Sequence, residues 1–412
     1  MRLFSGFLLV SIGIFWGCTP STSELKTGTW RGVLEIQGQQ LPFNFDVEAD
    51  SAGGWDVVLK NAGEQLRLDE VDYQGDSINI VLHVFDAYLR AVVRDDSLIG
   101  VFNLNYNPSY KLPFKAAFGQ AFRFMPSQKK PTVDFTGTYD VQFFNEKDTL
   151  NAIGIFKQAG TYAEGSFLTS TGDYRYLEGS VMNDSLHLST FDGNHAYLFK
   201  IVKTSDSTIT GGHWLGKSRF RNWAGLKNED AKLPDPESLT YLKEGYERIE
   251  IKFPDVNGDT ITLNDEKYKN KVVILQIFGT WCPNCMDETK FLSPWYDTNK
   301  DRGVEILGLA YERKPDFQYA SDRVKKMKEK WNVNYDFVIA GVNDNAKAAE
   351  TLPALNRVSA FPTTIFIGKD GKVKHIHTGF EGPGTGIYHE RFVERFNQIV
   401  NELLSEDLTS KK

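Results

Sequence analysis

Cysteine is scarce: the 412 residues hold three, Cys18, Cys282 and Cys285. That number excludes a disulfide-stapled scaffold, and it leaves too few thiolates for a closed structural zinc site, which takes four ligands, so no metal is expected. Basic residues are also in the minority, 47 Lys and Arg against 54 Asp and Glu. With no basic run carrying interleaved aromatics, a nucleic-acid partner is not expected. Beyond Trp16 no stretch is apolar enough to cross a bilayer as a helix. There is no phosphate-cradling glycine loop, no dinucleotide fingerprint and no Ser-His-Asp order, and no cofactor is expected. What remains is ordinary for a globular chain, 41% hydrophobic and 25% charged, at a length that allows two or three domains.

The segment from Met1 to Cys18 is set apart. Arg2 precedes an apolar stretch over 3–16, and Gly17-Cys18 ends it before the polar Thr19-Pro20-Ser21-Thr22-Ser23. The stretch is short for a membrane span. It resembles a bacterial lipoprotein signal, which implies lipidation of Cys18, export to the cell envelope or periplasm, and attachment to the membrane through that lipid. An uncleaved N-terminal anchor is the alternative.

From residue 24 to about 125 the chain reads as short strands, with apolar and aromatic runs at 30–37, 41–47, 55–59, 65–73, 77–84, 88–94 and 98–104. They are separated by turns such as Gly53-Gly54, Gly75-Asp76 and Asp95-Asp96. An antiparallel meander of this kind hides its edges by curling into a barrel or sandwich. The pattern then recurs over 131–228. Thr27-Gly28-Thr29-Trp30 returns as Thr136-Gly137-Thr138-Tyr139, Ser77 as Ser185 and Ser97 as Ser207, in the same order and at a nearly constant offset. Such agreement indicates a duplicated β region. Met125-Pro126 to Pro131 reads as the joint. The Gly-x-Trp opening resembles that of lipocalin or avidin-like barrels. Either a ligand-binding barrel or a scaffold with a filled core would carry it, and small barrels are commonly filled.

A polar stretch with Pro234 and Pro236 marks a linker over 229–248. After it, strands alternate with helices, which calls for a sheet with parallel members and helices packed on it. Asn257-Gly258 and Asp370-Gly371 read as hairpin turns. The run Val272-Val273-Ile274-Leu275-Gln276-Ile277-Phe278 reads as a buried strand. Gly279-Thr280-Trp281-Cys282-Pro283-Asn284-Cys285 follows it and opens a helix. A thiol at such a turn faces unpaired amide N–H groups and the positive end of the helix dipole, which favour thiolate. A second thiol one helical turn on can close a disulfide with it.

Residues 249–404 resemble the thioredoxin fold and, within it, the membrane-tethered thiol-disulfide oxidoreductases of the TlpA and ResA type. The residues that carry the resemblance are Phe278 to Cys285, Glu288, Phe361-Pro362-Thr363-Thr364, Lys369-Asp370-Gly371 and the glycine-rich Gly379-Phe380-Glu381-Gly382-Pro383-Gly384. It implies that Cys282 is the exposed nucleophile and Cys285 the buried resolving thiol. It also implies that Trp281 covers the pair and helps dock a partner, and that Pro362 is cis, placing Phe361 beside Cys282. Glu288 would lie near the thiols and shuttle a proton if its pKa is raised. The chain departs from the pattern at Gln276, where thioredoxins carry a buried aspartate, and at Thr289, where the family often has proline. Pro283-Asn284 leaves the potential open between about −270 and −120 mV.

The chain is thus expected to be multidomain, with a duplicated antiparallel β region followed by a thioredoxin-like α/β domain and a tail over 405–412. The implied activity is reduction of disulfides in envelope proteins, with an upstream electron donor restoring the dithiol. Three alternatives stand beside it: a thiol oxidase or isomerase, a peroxiredoxin-like peroxidase, and a β-domain binding protein whose cysteines form a structural disulfide. The peroxidase is disfavoured by Leu275, which occupies the place of the proline in Pro-x-x-x-Thr-x-x-Cys. His375 and His377 share a strand face and read as solvated.

Overall fold

The computed structural model describes residues 25–82, 85–126 and 130–406; Cys18, the segment expected to be a signal and the end of the expected tail lie outside these. Among the described residues the first repeat holds nine antiparallel strands: β1 (Gly28–Ile36), β2 (Gln39–Ala49), β3 (Trp55–Asn61), β4 (Glu64–Leu68), β5 (Val71–Gln74), β6 (Ser77–Leu82), β7 (Ala87–Arg94), β8 (Ser97–Leu104) and β9 (Asn107–Phe118). Their order is β4-β3-β2-β1-β9-β8-β7-β6-β5, so first and last strands pair and the seam falls between β4 and β5. Two strands depart from the sequence runs. The run at 65–73 breaks into β4 and β5 at Asp69-Glu70. β9 forms despite Pro108 and Pro113, because Leu112, Phe114 and Ala116 alternate inward.

The second repeat has the same count: β10 (Gly137–Phe144), β11 (Thr149–Ala159), β12 (Tyr162–Thr169), β13 (Gly172–Asp173), β14 (Leu177–Met182), β15 (Ser185–Phe191), β16 (Ala196–Lys203), β17 (Thr208–Leu215) and β18 (Arg219–Lys227). Here the ring closes, since β10 pairs with both β11 and β18, and β11 with β12. The duplication extends to detail. The Trp30 indole N–H donates to the Lys26 carbonyl at 3.0 Å, and the Tyr139 hydroxyl donates to the Phe135 carbonyl at 3.2 Å, the same device at the equivalent place in each repeat.

Both interiors are filled by side chains. Trp30, Phe43, Phe45 and Phe114 occupy the first; Trp223, Tyr139, Phe143 and Phe167 the second. The barrels also share packing, because Phe191 of β15 inserts against Phe43 and Phe102 at ring separations of 4.6 and 5.0 Å. Burying such a ring stabilises by roughly 1.5–3 kcal/mol.

The third unit contains β19 (Lys252–Pro254), β20 (Thr260–Thr262), β21 (Val272–Phe278), α1 (Pro283–Asn299), β22 (Val304–Glu312), α2 (Phe317–Lys330), β23 (Asp336–Val342), α3 (Asn345–Thr351), β24 (Thr363–Ile367), β25 (Val373–Thr378) and α4 (Ile387–Ser405). Its main sheet runs β23-β22-β21-β24-β25, parallel among the first three and antiparallel beyond. All seven residues of central β21 are buried, as its unbroken apolar run requires when helices cover both faces. Val272, Ile274 and Phe278 face α1, α2 and α4; Val273, Leu275 and Ile277 face α3 and the segment around Ile249 to Tyr268. The polar stretch after β18 is docked on this unit: Glu237 accepts from Arg395 and is bonded to His375.

Candidate active site

The dithiol stands where central β21 hands over to α1. Gly279 is required by close approach, because a Cβ there would meet Trp281 Nε1 at 2.1 Å and the Tyr311 carbonyl oxygen at 2.6 Å. The freed space lets the Trp281 indole fold back and donate to that carbonyl at 2.8 Å. Cys282 is itself the N-cap of α1. Its Sγ accepts the Cys285 N–H at 3.2 Å, in the place of the usual Ser or Asp oxygen, and Pro283 takes the first helical position. The Cys282 thiol also donates to the Phe361 carbonyl at 3.3 Å. The Phe361-Pro362 bond is cis, and the Phe361 ring meets Trp281 edge-on at 5.5 Å.

Both thiols are free. Cys285 is fully buried, and that burial, with the hydrogen bond and charge of Cys282, pushes its pKa well up. Glu288 lies one turn further along α1 and is 1% exposed. Burial raises its carboxyl to about 7, although hydrogen bonds from Thr364 Oγ1 and from Gln276 Nε2 at 2.8 Å and the nearby His377 pull the other way. Gln276 is the hub beneath the pair. Its amide reaches Glu288, Thr289 Oγ1 at 3.1 Å and the Cys285 carbonyl at 3.4 Å, while its own oxygen accepts from the Tyr335 hydroxyl at 3.1 Å. A neutral amide therefore holds the position of the thioredoxin aspartate and orients a carboxylate from the helix instead.

The structure thus gathers Trp281, Cys282, Cys285, Glu288, Phe361 and Pro362 into one place, with two corrections to the sequence reading. Cys282 is only 4% exposed, and residues of the barrels bond to its helix beside it. Asp173 accepts from Asn284 Nδ2 at 3.1 Å and Arg175 makes two bonds to Asp287 at 2.6 and 2.9 Å, while Phe85 joins the apolar cluster containing Cys285 and Met286. His377 is buried and His375 is partly buried, so neither stands on an open solvated face. They meet Glu237 at 2.8 Å and Glu381 at 3.0 Å, because β25 is covered by the segment before β19 and the loop after it.

Glu312 was missed in the sequence. It accepts from the Thr280 N–H at 2.7 Å and the Thr280 hydroxyl at 2.9 Å, holding the turn before Trp281, and burial raises its carboxyl to about 7. Strand register brings it there: β22 pairs in parallel with β21, matching Ala310 to Phe278, so a residue two places beyond Ala310 falls level with Thr280.

A thiol at a helix start, a second thiol sealed beneath it and a carboxyl poised near neutrality can take up and release a disulfide together with its proton. The class is therefore that of dithiol oxidoreductases on a thioredoxin-type sheet. The Redoxin family model matches residues 232–389. Thiol-disulfide oxidoreductase ResA of Bacillus subtilis (strain 168) is 30% identical over 138 residues, 34% of this chain and 69% of that protein. ResA of Geobacillus kaustophilus (strain HTA426) is 34% identical over 125 residues, 30% of this chain and 63% of that protein. The crystal structure of a thiol:disulfide interchange protein, a thioredoxin family protein from Chlorobium tepidum TLS, aligns with 40% of this chain and 99% of its own at 18% identity and a TM-score of 0.30. This chain belongs to the ResA family of thiol-disulfide oxidoreductases.

Proposed function

We propose that the protein is an exported, lipid-anchored reductase of disulfides in envelope proteins, attached through Cys18. The observation that carries the direction is the dry setting of Cys285 beside Glu288. A strong oxidant holds its reduced form down by stabilising a thiolate; here burial and a neighbouring carboxyl both oppose thiolate at Cys285, which favours giving electrons away. Cys282 thiolate attacks one sulfur of the partner disulfide, forming a mixed disulfide and expelling the other sulfur as thiolate. Cys285 passes its proton to Glu288 and attacks Cys282 Sγ, releasing the second partner sulfur. The two partner sulfurs take up protons from Glu288 and from the solvent that received the Cys282 proton, so the partner gains two electrons and two protons; the chain keeps the Cys282–Cys285 disulfide, and an upstream dithiol donor restores it. Trp281, Phe361 and Pro362 form the surface that receives the partner chain.

Two measurements test this reading. The potential of the pair is expected nearer about −270 mV than about −120 mV; a value at the oxidising end would make the protein an oxidase. In cells, Cys285→Ser is expected to hold envelope partners as mixed disulfides on Cys282, and a chain that traps none would not be an exchange enzyme.

A further inference from the structure

Both flanks of Cys282 are covered by residues of the β barrels, which dithiol exchange itself does not require. On one flank the hairpin between β12 and β14 lies between Asn284 and the loop after β25. A Cβ on Gly172, which has φ +132°, would stand 3.1 Å from Asn284 Oδ1, and one on Gly379 would stand 3.0 Å from the Thr171 carbonyl carbon. Gly379 approaches the hairpin backbone, and Gly172 the Asn284 side chain. Asp173 locks the contact, accepting from Asn284 Nδ2 at 3.1 Å and from the Gly382 N–H. On the other flank Asn194 Oδ1 accepts from Arg313 at 3.1 Å, and the Arg313 guanidinium lies 3.8 Å from the Tyr106 ring centroid and 5.5 Å from that of Trp281.

Gly379 donates its N–H to the Pro362 carbonyl at 2.9 Å. The hairpin is therefore next to the cis-proline loop, where a partner chain has to come.

We infer that the hairpin over 170–176, with Asn194 and Tyr106 on the opposite flank, is an intramolecular cap that closes the dithiol to folded proteins. What the cap excludes rests on the proposed reductase function; that it is a cap rests on the contacts alone. With Cys282 4% exposed, a protein substrate waits for opening, and its rate is the open fraction multiplied by the rate of the open form. The hairpin contact is polar, made of hydrogen bonds, close glycine approaches and the buried Arg175–Asp287 pair, and opening has to break that pair. A small disulfide needs a smaller opening than a folded protein, so the cap selects substrates by bulk.

The test uses the full chain carrying Cys285→Ser, with alkylation at Cys282 read by mass spectrometry of its peptide. Iodoacetamide serves as the small reagent and maleimide on a long polyethylene glycol as the large one. Capped Cys282 is expected to react slowly with both, and relatively more slowly with the large one. Asp173→Ala removes its two hydrogen bonds across the contact, with the one from the Arg175 N–H inside the hairpin, and is expected to speed the large reagent about tenfold. Asn194→Ala, on the far flank, is expected to act in the same direction by less, and it decides the matter if Asp173→Ala does not fold by circular dichroism. Equal rates in the parent and in every folded variant, with no discrimination by reagent size, would overturn the cap. In chains retaining Cys285, reduction of a small aromatic disulfide dye reports the chemistry separately. Failure there, with the alkylation pattern intact, would sink the reductase reading and leave the cap standing.

Discussion

The barrels and the thioredoxin-like sheet treat charge in opposite ways. On the barrels, pairs such as Arg67 with Glu48 and Asp56 lie on the surface, with the Arg67 side chain 55% exposed. In the thioredoxin-like unit, β21 and β22 are buried throughout, and Glu288 and Glu312 sit in dry surroundings that raise both to about 7. The exception shows where the two meet. On the barrel face turned to α1, Arg175 is buried and bonded to Glu64, Asp192 and Asp287, one carboxylate from each of the three units. The β region thus presents a buried, charge-bearing wall where it meets α1 of the thioredoxin-like unit.

The largest effect expected is on the chemistry. Cys282→Ala should reduce disulfide reduction to the background of the assay, whereas no single substitution inside a barrel core should do so while the fold survives; assays of the purified variants check this. Next comes the contrast between two arginines. Arg175→Met leaves three buried carboxylates without their shared cation, and removing one partner of a buried pair costs about 3–5 kcal/mol. Arg67→Met is expected to leave the urea midpoint unmoved, because an exposed pair contributes little. If the two variants unfold alike, the barrel face at α1 is no different from the rest of the barrel surface.

Much of this was legible in the residues. The buried run into Trp281-Cys282-Pro283-Asn284-Cys285 placed the dithiol at a strand-to-helix turn, and repeating turns at a constant offset exposed the duplication. Both are local or periodic signals. The contact beside Cys282 was not legible, because Asn284 meets a hairpin far earlier in the chain, around Gly172 and Asp173, whose short polar residues look like any turn. Gln276 could be seen to lack a titrating group, yet its service to Glu288, Thr289 and Tyr335 depends on three elements meeting. Glu312 was hidden for a similar reason, since strand register rather than motif brings it to Thr280.

Glu288→Gln sharpens the same contrast from the thioredoxin side. If ionised Glu288 takes the proton of Cys285, single-turnover reduction of the dye should rise with pH through about 7, and the variant should lose that rise along with about a hundredfold in rate above it. Stability carries the opposite sign. A carboxyl raised from 4.5 to about 7 by folding contributes stability that is full below about 4.5 and is lost as pH rises through about 7. The parent should therefore weaken to urea over that window by on the order of 3 kcal/mol more than the variant. Asp173 and Glu312, also raised to about 7, act in the same direction, so the difference between the two chains isolates Glu288.

The smallest effect belongs to Thr364→Val, which keeps the shape of a fully buried side chain and removes the hydroxyl donor to Glu288. That donor favours the anion, so without it the carboxyl rises further, and the inflection in the rate should move to higher pH by up to about one unit while the rate well above it stays the same. An inflection that does not move would mean that the titrating group is not Glu288. The remaining candidates near the same pH would then be Glu312, whose donors are on Thr280, and Asp173, whose donors include Asn284 and Gly382; none of these is touched by the change.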